Sequence, residues 1–277
     1  VSAAASAALA PLRLYLEFTR VTFLKMLAYR LRYYTGVVSY LVFVAGNTFL
    51  FRAVYAAMPP GKEIGGYDAQ SIVTYIAVAW IGRSLVFNNI DSELATSVTE
   101  GNIALNLMKP VDFQAMTYFG ALGELGFRLV LFTLPISVVV FPLFGVAGPA
   151  HAEAAAGAAI SFFLAFLVNS GVNFIVGTFA LRMKSIWGVM RAKYIVLELL
   201  TGALVPLSFF PDALRRVTEL LPFQAIGYVP VTIYMGQRTG AALWQALAVQ
   251  AFWAIALYAV GAALWRAGVR RTTVQGG

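Results

Sequence analysis

The sequence contains no cysteine and a single histidine, His151. Disulfides, thiolate metal sites and cysteine nucleophiles are thereby excluded together. Charge is also scarce: only 12% of residues are Asp, Glu, Lys or Arg, against about a quarter in ordinary soluble domains. There is no HExxH, no GxSxG and no carboxylate cluster at metal-ligand spacing, so nothing in the chain points to catalysis. No GxxxxGK[ST] phosphate loop occurs either; if ATP powers this protein, another chain binds it.

What is abundant is apolar side chain. Hydrophobic residues make up 60% of the chain. They fall in runs of about 20, long enough to cross a hydrocarbon core of about 30 Å as helices, and not in the alternating segments of about 10 that a membrane barrel shows. The fold expected is an all-α integral membrane protein, a single transmembrane domain over 1–277 with six spans at about 36–55, 69–87, 115–144, 154–181, 194–210 and 241–265. Pro135 is the expected kink of the third span. Residues 1–10 lack a preceding basic stretch and a polar cleavage region, which is not the pattern of a signal peptide. Residues 1–34 are expected to carry an interfacial helix, with Arg13, Glu17 and Arg20 near one face and Leu16, Phe18, Phe23 and Leu27 offering apolar surface. Residues 211–240, broken by Pro211, Pro222 and Pro230, are too polar to cross and too apolar for a simple loop. They read as a re-entrant outer element between spans five and six.

The formal charge of +8 reflects topology and not nucleic-acid binding, because the cations sit at span ends. Arg13, Arg20, Lys25, Arg30, Arg32, Lys109, Arg182, Lys184, Arg191, Lys193, Arg266, Arg270 and Arg271 fall on one side. Lys62, Arg215, Arg216 and Arg238 fall on the other. The positive-inside rule then places both termini in the cytoplasm of a multi-pass cell-membrane protein.

The longest polar interruption is 91–112, DSELATSVTEGNIALNLMKPVD. It carries Ile103, Leu105, Leu107 and Met108 among charges, and can be either an amphipathic docking piece for a soluble partner or a solvated loop. Ionisable residues within spans are functional hypotheses by default. Glu124 and Arg128, four apart on the third span, can pair on one helix face. Arg83 can snorkel from the end of the second, and Glu198 shares a face with Thr201 and Gly202 on the fifth. Asn169 and Asn173 read as interhelical glue.

Four stretches together resemble the membrane subunit of type-2 ATP-binding-cassette (ABC-2) exporters. They are the basic LKMLAYRLRYY leading into Gly36; VTEGNIALNLMKPVD with Gly101, Lys109 and Pro110; LLTGALVPLSFFP with Gly202, Pro206, Phe210 and Pro211; and LLPFQAIGYVPVTIYMG before the last span. The resemblance implies a permease that pairs with a second copy or a related permease and with two cassette ATPase subunits. ATP and magnesium would be held by those partners and no cofactor by this chain. It implies a coupling helix with Val98, Glu100, Gly101, Asn102, Leu105 and Met108 seated on the ATPase, and a central cavity with Trp80, Arg83, Phe87, Glu198 and Thr201 as candidate substrate contacts. The implied substrates are amphiphilic, lipid-like, glycan or drug-like, with Glu198 near aromatics suited to an organic cation. The alternatives are a membrane scaffold or assembly protein, whose interior polar residues only hold helices together, and an ion-coupled transporter in which Glu124 or Glu198 titrates.

The charge asymmetry makes a direct prediction. A reporter that fluoresces only in the cytoplasm, fused after residue 270, is expected to be bright, and alkaline phosphatase at the same place inactive; the reverse pattern refutes the orientation.

Overall fold

The computed structural model describes residues 2–29, 31–59, 61–183 and 185–270; Arg30, Lys184 and Arg271 of the basic set lie outside the described residues. The described chain is helical throughout and has no β-sheet, only an isolated pairing of Ile64 with Tyr67 in a turn. Among the described residues, five stretches are long and apolar enough to cross a membrane: Gly36–Ala56, Ala69–Thr99, Phe113–Phe144, Ala152–Leu181 and Gly240–Val269. The protein is a multi-pass all-α membrane protein.

The expected fifth span, 194–210, does not exist as one helix. Helix α9 (Trp187–Leu200) begins earlier than expected and stops at Leu200. Its 14 residues reach about 21 Å, short of a hydrocarbon core. The break has a local cause. Gly202 takes φ +75°, a left-handed conformation open to glycine at no steric cost, and Pro206 follows four residues later. The carbonyls freed by the turn are answered from neighbouring segments: the Tyr75 hydroxyl donates to Gly202 O at 2.6 Å, and the Tyr228 amide to Thr201 O at 2.8 Å. A short 3-10 turn, Leu207–Phe209, completes the departure.

The other helices form in chain order around a central one. α1 (Ser2–Ala28) and α2 (Leu31–Ala56) open the chain. α3 (Ala69–Val86) is followed, after a pause at Phe87–Asn89, by α4 (Ile90–Thr99) and the one-turn α5 (Ile103–Leu107). α6 (Phe113–Arg128) leads through a π-helical turn, Leu129–Thr133, into α7 (Leu134–Phe144). Pro135 therefore distorts the third span by forcing a wide turn before it, and the Ser137 hydroxyl takes up the Thr133 carbonyl at 2.7 Å. α8 (Ala152–Thr178) is capped by the single histidine: His151 Nδ1 accepts from the Ala154 amide at 3.0 Å. α10 (Asp212–Glu219), a 3-10 turn at Pro222–Ala225 and α11 (Tyr228–Tyr234) form the proline-punctuated segment, and α12 (Gly240–Val269) ends the described chain.

α8 is the axis, packed against α4, α11 and α12. One apolar cluster joins α2, α3, α7, α11 and the first part of α12 around Tyr75, Ile76 and Ile233. A second joins α4, α6, α8 and the rest of α12 around Phe166, Phe174 and Trp265. Residues 229–234 of α11 are buried, packed against α8 and α3. Fully buried Gln250 ties this corner together, accepting from Ser161 Oγ at 2.7 Å and donating to Ala225 O at 2.7 Å. α1 lies against α6 so closely that a Cβ at Gly123 would overlap the Thr19 carbonyl oxygen, while the Thr19 hydroxyl donates to Phe119 O at 2.7 Å.

The start of α3 is specified by a capping box. Asp68 accepts from the Ser71 and Gln70 amides at 2.7 and 3.1 Å, and the Ser71 hydroxyl answers the Asp68 amide at 2.9 Å. Hydrogen bonds from the Ser71 hydroxyl and amide, then from Gln70, hold the Asp68 carboxyl below its ordinary pKa. A carboxyl depressed in this way stabilises the fold fully above the ordinary aspartate pKa near about 4 and loses that contribution as pH falls through the folded value. Asp68→Ala is expected to cost about 1 kcal/mol in thermal unfolding of the detergent-solubilised protein at neutral pH. Asp68→Asn should retain most of the cap and remove the acid sensitivity of this term; an unchanged acid profile in that variant contradicts the assignment.

Candidate functional site

Where α3 ends and α4 begins, the backbone leaves helical geometry for three residues, and α9 crosses opposite. Between them lies a cavity of about 190 Å³. The last turns of α3 supply Ala79, Arg83 and Val86, the linker Phe87, Asn88 and Asn89, and α4 Asp91 and Ser92. α8 supplies Asn169 and Asn173, and α9 contributes Trp187, Met190, Lys193, Tyr194, Leu197 and Glu198. Thr201, Ala203, Ile226 and Gly227 close it at the turn after α9.

Of the residues expected at a substrate cavity, Arg83, Phe87, Glu198 and Thr201 line this space together. Arg83 Nη1 meets Glu198 Oε1 at 2.7 Å across it. The same guanidinium lies 5.1 Å from the Trp80 ring and 5.9 Å from that of Tyr194, within cation–π range. Trp80 stands behind this pair rather than in the lining. Its ring stacks on Phe43 at 5.0 Å and its buried indole N–H has no hydrogen-bond partner among the described residues. The Thr201 hydroxyl is turned to its own helix, donating to Leu197 O at 2.7 Å. Glu198 already carries a compensating cation, so the lone carboxylate that an organic-cation site would use is neutralised by Arg83.

A second pair, unforeseen in the sequence, closes the same cavity. Lys193 Nζ on α9 meets Asp91 Oδ2 on α4 at 2.6 Å and donates to Asn173 Oδ1 on α8 at 2.8 Å. Asn173 Nδ2 in turn reaches Asn88 Oδ1 at 2.9 Å, and Asn88 Nδ2 reaches Ser170 Oγ at 3.0 Å. Asn169 Nδ2 donates to Val86 O at 3.0 Å, so both asparagines of α8 hold the interrupted end of α3. The burial of both charged groups is tolerable because each has a counter-charge and Lys193 has a further acceptor. Asp91 and Lys193 stand 102 positions apart. Read singly, one is a loop acid and the other a topogenic cation; the Asn169/Asn173 spacing was the only sign that this face carries polar partners.

Glu124 and Arg128 meet within α6, with Nε and Nη2 both on Glu124 Oε1 at 2.9 and 2.7 Å, in a buried position. The pair is joined to the cavity rim. Asn89 Nδ2 donates to Glu124 Oε1 at 3.3 Å, and Arg128 sits 4.7 Å from the Phe87 ring centroid. The three ion pairs are individually neutral and bring α3, α4, α6, α8 and α9 to one place.

At the far end of α4 the chain makes an exposed corner. Gly101 turns it at φ +77°, Asn102 Nδ2 donates to Glu100 Oε2 at 2.9 Å, and α5 follows. Ile103 anchors this turn in the core, Val98 is half-buried, and Leu105 and Met108 project with 59% and 73% of their surface exposed. Lys109 Nζ caps the turn through Asn106 Oδ1 at 2.8 Å, and the Asp112 amide donates to Tyr15 Oη at 3.0 Å, fixing the corner against α1. Among the described residues no group of His, Asp or Glu is placed to hold a metal ion.

Arg128→Met should leave Glu124 buried without its cation and cost about 3–5 kcal/mol, whereas Glu124→Gln with Arg128→Met removes both charges and should restore most of that loss. Thermal unfolding of the single and double variants in one detergent checks this; equal losses in both contradict a self-compensating pair.

No curated protein matches this chain. A family model described as "ABC-2 family transporter protein" matches residues 41–276, which takes in the cavity, the three ion pairs and the exposed corner. The chain therefore belongs to the ABC-2 family of membrane transporter proteins.

Proposed function

We propose that this protein is the permease subunit of an ATP-driven exporter in the cell membrane. It forms the substrate path as a dimer, of identical or related permeases, and two separate cassette ATPases supply the energy. The observation that carries this reading is the corner at Gly101–Met108. A membrane protein with so few charged residues presents here three exposed apolar side chains, Leu105, Leu107 and Met108, on a turn that is internally hydrogen-bonded and anchored by Ile103. An apolar projection on a rigid, polar-rimmed turn is suited to a cleft in a soluble partner. Val98, Glu100, Gly101, Asn102, Leu105 and Met108 form that coupling element.

In this reading α9 and the broken segment after Gly202 together make a sixth, discontinuous crossing, so that both termini and the corner face the cytoplasm, α1 lies along the inner leaflet, and the segment from α10 to α11 is the outer re-entrant element. The cavity between α3 and α9 belongs to the transport path, with Arg83, Phe87, Glu198 and Thr201 at its wall and Trp80 supporting Arg83. Its lining combines aromatic rings, amides and balanced ion pairs, which suits an amphiphilic substrate. The chain performs no chemistry itself.

Leu105→Glu and Met108→Glu lie on exposed positions and should leave thermal stability unchanged. Each is expected to weaken capture of the cassette ATPase by about 2 kcal/mol, more than tenfold in affinity. Co-purification from native membranes in mild detergent, with the ATPase-to-permease ratio measured, tests this. Normal ATPase recovery with both variants removes the corner from the interface, and a native chain that captures no ATPase even after crosslinking removes the exporter reading itself.

A further inference from the structure

α9 is an unusual wall for a cavity. None of its residues is fully enclosed, and its apolar hold is slight: half-buried Leu197 packs against the second cluster, and the buried side chains Ile186 and Thr201 stand at its two caps. Its other attachments are polar: Glu198 to Arg83 on α3, and Lys193 to Asp91 on α4 and Asn173 on α8. The more sheltered of the two ion pairs is the one with α4, the helix whose other end carries the exposed corner. From Asp91 to Thr99 is eight helical rises, about 12 Å of rigid rod.

That rod is mounted closely on α8. A Cβ at Gly177 would come within 2.9 Å of Leu94 Cδ2 and 3.2 Å of Asp91 Cα, so the first turns of α4 ride directly on the α8 backbone. Leu94 and Ile90 are buried there. The corner end of α4 carries no buried residue beyond Leu94, and its residues from Ala95 to Thr99 are exposed or half-buried. A force applied at Leu105 and Met108 therefore enters α4 through the turn anchored at Ile103, and the opposite end of that helix presents Asp91 to Lys193.

We propose that the Asp91–Lys193 ion pair is the contact through which movement of the corner reaches the cavity wall. The inference rests on the coupling role given to the corner above. Tilting α4 on the Gly177 seat displaces the Asp91 carboxylate. Lys193 follows because no other carboxylate is within ion-pair distance of it among the described residues, and α9 follows Lys193 because between its buried caps, Ile186 and Thr201, it has no fully buried side chain. Asn173 and Asn88 hold a second acceptor and donor beside the pair, so that Lys193 remains hydrogen-bonded while the carboxylate moves. Asp91 and Lys193 are positioning residues in this scheme; neither is required to touch substrate.

The absence of cysteine from the natural sequence makes the test clean. Met190→Cys places one thiol on α9 in the cavity lining, where its reaction with a hydrophilic maleimide reports how open that wall is. The complex of this chain with its co-purified ATPase is labelled nucleotide-free and after trapping with ATP and orthovanadate. With the native pair, trapping is expected to change the labelling rate at least about fivefold, the lower end of ordinary allosteric coupling. Asp91→Asn and Lys193→Met should abolish that change while capturing the ATPase at the native ratio, and the exchanged pair Asp91→Lys with Lys193→Asp should restore it. Persistence of the nucleotide-dependent change in both single variants overturns the proposal. So does failure of the exchanged pair to restore it in a complex that retains its ATPase and native melting temperature, which leaves the pair a structural role alone. If the native chain captures no ATPase, the exporter reading fails first and takes this inference with it.

Discussion

Charge inside a bundle surrounded by hydrocarbon has to be paired, and that constraint organises the centre of this molecule. Burial strips most of the water from Asp91, Glu124, Arg128 and Lys193, and Arg83 and Glu198 keep only 22% and 28% of their side-chain surface exposed. Each is answered by an opposite charge between 2.6 and 2.7 Å away. Because two of the three pairs join different helices, the requirement for neutrality decides which helices meet. The interruption of the second span at Phe87–Asn89 is supported in the same way, by amides from α8 that satisfy its linker.

Packing supplies what pairing does not. α8 can act as an axis because α4 approaches it at Gly177, and α1 can lie along α6 because Gly123 has no side chain to hold it off. Gln250 performs for the α11 corner what the asparagines do for the α3 linker, bringing polar partners to a segment that would otherwise bury carbonyls unsatisfied. The molecule thus has two kinds of contact. Helices tightened by small residues and apolar clusters form the body, and α9 is held to that body chiefly by charge and by the turn at Gly202, with Leu197 its apolar contact to the second cluster.

Much of this was legible in the residues, and the remainder was not for definable reasons. Long apolar runs located the five full-length helices, since length and composition are local properties. The fifth expected span misled because 194–210 is apolar apart from Glu198, Thr201 and Ser208, and composition does not register a left-handed glycine at 202 whose carbonyl is claimed by Tyr75. Glu124 and Arg128 could be seen as partners because they are one helical turn apart. Asp91 and Lys193 could not, because only the tertiary fold makes neighbours of residues so distant in the chain. Glu198 was visible as an intramembrane acid, but its neutralisation by Arg83 depends on how α3 and α9 cross.

The early end of α9 also alters the electrostatics of the space beside it. Side-chain charges in the cavity wall cancel, two against two. A helix that terminates at the lining instead of passing through it brings its backbone dipole to bear, with about half an elementary charge of negative sign at its C-terminal end. Thr201 stands at that end and lines the cavity. The polarity of this compartment is therefore set by where a glycine stops a helix, and it persists without freeing any carboxylate from its partner.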